Sequence, residues 1–254
     1  MILRTTWQSQ HQAVTNSKPC VTIDCISDKG ENAVVNIVGA GGFAREVLNH
    51  YLHKFNPLKN FEPSCPWGVN FYVEPEYTLD AINTLNQKKQ GFAGHEKMAF
   101  CVRALDNTFK IGHAFIGTGN PCLKEKLSKH VIHPTALDCS ALNYNQTTSE
   151  GTIICPGVMI TSNVMLGKMV TLNLNVTVGH DVLIDDYTTV NPGVHISGNV
   201  RIGKHCLIGT GAVIKEGITI ADGTIIGAGA VVVKNILEPN HVHFGNPAVQ
   251  KWLA

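Results

Sequence analysis

The chain is poor in charge and in aromatic rings. Charged residues fill 15% of its 254 positions, and Phe, Trp and Tyr together only 7%. The charges nearly cancel, at +1. No basic footprint therefore points to nucleic acid, and no acidic tail points to a polyanion mimic. Eight cysteines are scattered without a C-x-x-C pair. In a chain long enough for a full core, such thiols fit a reduced, cytoplasmic protein rather than a disulfide framework. No stretch approaches eighteen continuous apolar residues, so no membrane span is expected. The opening MILRTTWQSQHQ lacks the apolar centre of a secretion signal.

What the chain has is a period. An aliphatic residue stands at every sixth position in an unbroken series: Ile154, Ile160, Leu166, Leu172, Val178, Ile184, Val190, Ile196, Ile202, Ile208, Ile214, Ile220, Ile226 and Val232. Four residues after each comes a small or β-branched residue, from Val158 to Ile236. Three residues after each, Gly or Asn is common: Gly157, Asn163, Asn175, Gly193, Asn199, Gly211, Gly217, Gly223, Gly229 and Asn235. Those two types adopt a left-handed backbone at least cost. Each hexad therefore reads as a short strand and a tight corner. Three hexads make a triangular coil of eighteen residues, with the aliphatics stacked inward. Burying each contributes roughly 1.5–3 kcal/mol. Spacing near 3.6 is absent, which excludes an amphipathic helix, and a short fixed period means a solenoid.

The first half reads differently. Val34–Val38 is a strand-like apolar run. It leads into Gly39-Ala40-Gly41-Gly42-Phe43-Ala44 and then a helix over Arg45–Lys54, with Val47, Leu48, Tyr51 and Leu52 on one face. Strand, glycine loop and helix form the opening of a mononucleotide-binding unit: the glycines let backbone approach a phosphate, and the helix N-terminus favours its charge. Further strands are expected at Phe71–Val73 and Ala114–Gly117, and helices at Thr78–Gln87 and Leu123–Val131. Residues 54–70 and 87–110 read as long loops. Residues 131–150 read as a linker or an irregular first coil. That is enough for one nucleotide-binding half.

Four motifs now stand in order: Gly39–Val47 (GAGGFAREV), Ile116–Asn120 (IGTGN) followed by Leu123-Lys124, Ile132–Ala136 (IHPTA), and the hexads. Together, over residues 34–254, they resemble the hexapeptide-repeat acyltransferases of the sialic acid O-acetyltransferase type. That group includes bacterial N-acetyltransferases of nucleotide-linked 4-amino sugars. The resemblance implies an α/β nucleotide-binding βαβ domain followed by a left-handed parallel β-helix. Residues 1–33 would be an extension of unknown role. Residues 34–131 would form a Rossmann-like domain for a nucleotide sugar, and residues 132–254 the β-helix acyltransferase domain with its tail. It also implies acetyl-CoA as co-substrate, a homotrimer, and acetylation of an amine, most readily at C4, on a nucleotide-linked amino-deoxy sugar in surface-glycan biosynthesis. Acetylation of a sugar hydroxyl, or a scaffold without catalysis, are the rival readings.

Acyl transfer from a thioester needs a base for the acceptor's proton and donors for the oxyanion. His180 sits at a corner beside Asp181, and a carboxylate there stabilises the protonated imidazole. In the resembling enzymes this pair is the base and its partner. Gly198 lies one coil further on the same edge, and the resemblance suggests its amide as an oxyanion donor. It also places Thr189, Thr210 and Ala228 at coenzyme contacts, and Gly41, Gly42, Phe43, Glu74, Asn120 and Asn173 at the sugar nucleotide. The tail Phe244–Ala248 would be a structural clasp. His180, His195 and His205 occupy different hexad positions and share no edge, so a zinc site built from converging imidazoles is not expected. His195 would face outward, and His205 would be a solvated corner.

Overall fold

The computed structural model describes residues 34–39, 42–55, 68–73, 75, 78, 81, 99–105, 110–143 and 149–251. Five parallel strands open the fold: β1 (Val34–Val38), β2 (Gly68–Val73), β3 (Ala99–Ala104), β4 (Ile111–Ile116) and β5 (Val131–Pro134). They lie in the order β3-β2-β1-β4-β5, the first five positions of the doubly wound dinucleotide fold. Helix α1 (Gly42–Phe55) follows β1, and α2 (Pro121–Ser128) joins β4 to β5. Val35, Ile37, Val69 and Phe71 from the strands bury against Ala44, Val47 and Leu48 of α1.

Strand β3 falls inside the segment read as a loop over 87–110. It is short and flanked by Lys- and Gly-rich sequence, and only its pairing with β2 makes it a strand. The stretch expected as a linker from residue 131 begins with β5, which pairs with β4 in register. The helix expected over Leu123–Val131 starts and ends earlier. Asn120 caps it, accepting from the Leu123 N–H at 2.9 Å, and Pro121 occupies its first turn, where a missing N–H costs nothing. The helix expected at Thr78–Gln87 lies mostly outside the described residues.

From Leu137 on, the chain winds into a parallel β-helix of two-residue strands. Three sheets form its faces, and between Ile153 and Val232 strands eighteen residues apart pair, as in Thr171↔Thr189, Thr177↔His195 and Leu183↔Arg201. Every aliphatic of the series from Ile154 to Val232 is buried, and so is every residue four places after it, from Val158 to Ile236. The interior is a column of Val, Ile and Leu with almost no polar atom to satisfy.

The corners follow the period as strictly. Every sixth residue from Gly157 to Gly229 has positive φ. Four of them are neither Gly nor Asn: Met169, Asp181, Tyr187 and His205, at φ 58, 58, 62 and 55°. A left-handed backbone costs the three bulky ones roughly 1–2 kcal/mol each, so each needs a reason to be there, and Asp181 less, since a short polar side chain tolerates it. Asn235 is the exception at the other end. It is not left-handed, and its side chain accepts from the Thr219 N–H at 2.9 Å, closing the last coil. The tail returns as Val242–Phe244 beside Ile225–Ile226, then turns into Val249–Lys251. Its turn is tied to the final coil through Val231 N–H to Gly245 O and Ala248 N–H to Val231 O.

Candidate active site

The β-helix has three corner edges, and His180 and Asp181 lie on one of them with Asn163 and Asn199. The left-handed corner belongs to Asp181, not His180. That twist turns the carboxylate toward its own neighbour, so that His180 Nδ1–H donates to Asp181 Oδ2 at 2.7 Å. The carboxylate can only accept, which assigns the proton to Nδ1 and leaves Nε2 free as a base. One coil before, Asn163 Nδ2 donates to Asp181 Oδ1 at 2.6 Å. The Asn163 amide first, and the His180 hydrogen bond second, hold the Asp181 carboxyl below its ordinary value. Both His180 and Asp181 are about half exposed.

The imidazole lies over Gly198. A Cβ on that glycine would stand 2.6 Å from His180 Nε2 and 2.7 Å from Cε1, so no side chain fits there. The coil beyond is fixed by Asn199 N–H to His180 O at 2.8 Å. Among the described residues no acceptor takes up the Gly198 amide. Next to this corner a cavity of about 260 Å³ runs along the adjoining face, lined by Asn163, Met165, Asp181, Leu183, Asn199 and Arg201. It offers an apolar floor from Met165 and Leu183 and a guanidinium at its rim. No motif marks Arg201 as part of this site. The eighteen-residue period points to Asn163, since it stands one coil before Asp181.

The other expected residues separate into three places. Thr210 and Ala228 are exposed on the next corner edge, where Asn173 also lies, its Oδ1 accepting from the Leu174 N–H at 2.7 Å. Within one chain they are not brought to His180. Thr189 is fully buried and its hydroxyl accepts from Lys124 Nζ at 2.8 Å, so in this chain it serves the packing of α2. Asn120 caps α2. Gly42 is exposed at the start of α1 and Phe43 is half-buried beside it. Gly41 and Glu74 lie outside the described residues. The loops after β1 and β4 touch: a Cβ on Gly39 would stand 3.0 Å from Gly117 O, and one on Gly117 would stand 2.6 Å from Ala44 Cα. This is the switch point of the sheet, where doubly wound folds hold their ligands.

His195 faces outward as expected, with Nδ1 2.8 Å from Thr177 Oγ1. His205 is not a solvated corner. Its ring stacks on Tyr187 at 5.1 Å, and its Nε2 lies 3.6 Å from Glu125 Oε2 on α2. The helix covers this edge, which explains why bulky residues are kept in left-handed corners there. Among the described residues no helix is long and apolar enough to cross a membrane.

Residues 199–234 match the family model described as bacterial transferase hexapeptide (six repeats). Among solved structures, the perosamine N-acetyltransferase PerB from Caulobacter crescentus, bound to CoA and GDP-perosamine, is 21% identical with a TM-score of 0.63. The match covers 87% of this chain and 98% of that one. The acetyltransferase domain of PglB from Neisseria gonorrhoeae, in complex with acetyl coenzyme A, is 22% identical over 87% and 100% of the two chains, with a TM-score of 0.64. WeeI from Acinetobacter baumannii is 26% identical over 87% and 100%, with a TM-score of 0.62. No curated protein matches the sequence. The resemblance to hexapeptide-repeat, left-handed β-helix proteins is borne out, as is the fold read from the hexads.

Proposed function

We propose that the chain is an acetyl-CoA-dependent N-acetyltransferase acting on the amino group, at C4, of a nucleotide-linked amino-deoxy sugar. The observation that carries this reading is the His180–Asp181 pair poised over the bare backbone of Gly198. Asp181 holds the Nδ1 proton, so His180 Nε2 takes the proton of the acceptor amine as its nitrogen attacks the thioester carbonyl. The Gly198 N–H stabilises the oxyanion that forms. Collapse expels the coenzyme thiolate, and the proton on His180 Nε2 passes to the sulfur.

The nucleotide diphosphate lies at the switch point, against Gly41, Gly42, Phe43, Glu74 and Asn120. The coenzyme lies along the β-helix. Thr210 and Ala228 stand on a different edge from His180, so a coenzyme that touches both runs between two copies. This supports a homotrimer, in which one copy's His180 edge faces the next copy's Thr210–Ala228 edge. Residues 34–131 and 132–254 are proposed as the acceptor and donor domains, although the boundary cuts through β5. The bound ligands of the Caulobacter and Neisseria structures support the same substrate classes for this chain.

The test is turnover with acetyl-CoA and a panel of UDP-, dTDP-, GDP- and CMP-linked sugars carrying either a free amine or only hydroxyls. Acetylation confined to hydroxyls rejects the amine reading. Failure to bind acetyl-CoA leaves a scaffold. A monomer by light scattering at micromolar concentration rejects the trimer.

A further inference from the structure

Among the described residues, Lys124 is the only lysine, arginine or carboxylate in the buried core. It stands in the first turns of α2, where its own N–H donates to Asn120 O at 2.9 Å. Its ammonium crosses to the β-helix and donates to Met169 O at 2.9 Å, Thr171 Oγ1 at 2.9 Å and Thr189 Oγ1 at 2.8 Å. Thr188 O stands at 3.5 Å. All four oxygens are uncharged. Burial without an anion is costly for an ammonium, and an apolar side chain of similar volume packs at lower cost. Burial alone pulls its pKa down to about 7.

The two threonines matter because of where their coils lead. Thr171 and Thr189 are partners on adjacent coils. Nine residues after Thr171 the first coil reaches His180, and nine residues after Thr189 the second reaches Gly198. One amine therefore clamps both coils that build the catalytic corner. It clamps them to the helix that opens at Asn120. The preceding loop joins the contact, since a Cβ on Gly119 would stand 3.9 Å from Thr189 Cγ2.

We infer that Lys124 is a positioning residue for the acceptor: it fixes the loop Gly117–Asn120, which holds the nucleotide diphosphate, at a set reach from the coils that carry His180 and Gly198. This rests on the nucleotide-sugar reading given above. Lys124 touches neither substrate. It acts by holding Asn120 and the N-terminus of α2 in register with the β-helix, so its loss is felt at the acceptor and not at the coenzyme.

The experiment titrates the full chain, Lys124→Met and Thr171→Val with UDP, GDP, dTDP and CDP, and separately with coenzyme A. The unsubstituted chain binds at least one diphosphate. Lys124→Met weakens that diphosphate about tenfold, and leaves coenzyme A within about twofold. Thr171→Val keeps the shape and removes one acceptor, and weakens the same diphosphate by about threefold. Unchanged diphosphate affinity in both variants overturns the inference, as does equal weakening of both ligands. If Lys124→Met does not fold, Thr171→Val decides alone. If the unsubstituted chain binds coenzyme A and none of the diphosphates, the acceptor reading falls and the positioning role falls with it. That outcome is recognised before any substitution is made.

Discussion

Two edges of the same β-helix are built on the same backbone and filled by opposite rules. The edge of Asn163, Asp181 and Asn199 is open to solvent, and its corners take the short polar residues that tolerate a left-handed twist. The edge of Met169, Tyr187 and His205 is covered by α2, and its corners take bulky residues at the same φ. On the covered edge, packing against the helix offsets the strain. On the open edge no helix of the chain packs, and the twist instead aims a carboxylate at an imidazole. Corner residues thus report what lies over them.

The largest expected effect is on the open edge. His180→Ala should lower turnover by on the order of 10²–10⁴-fold, the usual contribution of a positioned base. Thermal stability should hardly move, since the ring is half exposed. Near-normal turnover in a folded variant removes His180 as the base. Gly198→Ala comes next. The added methyl meets the imidazole at 2.6 Å, and pushing the base aside should cost on the order of 10²-fold in kcat. If kcat is kept while the fold is intact, the ring does not work from the position seen here.

The covered edge is tested by pH. Lys124 has an ordinary value of 10.5 and a folded value near 7. Between those values the unfolded chain binds the extra proton, so stability from this group grows as pH rises through the window and is flat below it. The gain accrues between about 7 and 10.5 and ends there. Urea unfolding of the wild type and Lys124→Met at pH 6.5 and 8.5 should show their difference move in favour of the wild type at the higher pH. A constant difference means that the amine is not desolvated as the geometry implies.

A swap between edges gives a smaller signal. Asn199→Tyr should cost about 1–2 kcal/mol, because a bulky residue enters a left-handed corner with nothing in its own chain to pack on. Tyr187→Asn should stay within about 1 kcal/mol, since relief of strain offsets the lost stacking on His205. Equal costs in chemical denaturation would end the distinction between the edges. The smallest effect is Asp181→Asn, which keeps the corner and removes the charge. Turnover should fall about tenfold, less than for the base itself. A pH–rate profile that overlays the wild type leaves Asp181 with the corner alone.

The edges also show what the sequence reveals. The inward ladders are legible residue by residue, because a period of six fixes every neighbour at eighteen. His180, Asp181 and Gly198 fall together for the same reason, and Asn163 follows by the same count. His205 misleads because α2 covers its edge, and no periodicity carries that docking. Lys124 looks like any lysine on a surface helix. Strand β3 hides because its hydrogen bonds all go to a partner outside its own neighbourhood. Local repetition is readable; contacts between distant segments are not.

The constant register has a consequence for how such a chain can change length. The coil works like a reading frame of eighteen with three faces. Removing six residues between Asp181 and Gly198 would shift every later face by one third of a turn, and would carry the glycine away from the imidazole. Removing a whole coil beyond Gly211 would shorten the column at the Ala228 edge and keep Gly198 under His180. Gain and loss of length are therefore quantised: a whole coil keeps the glycine under the imidazole, and a fraction of one does not.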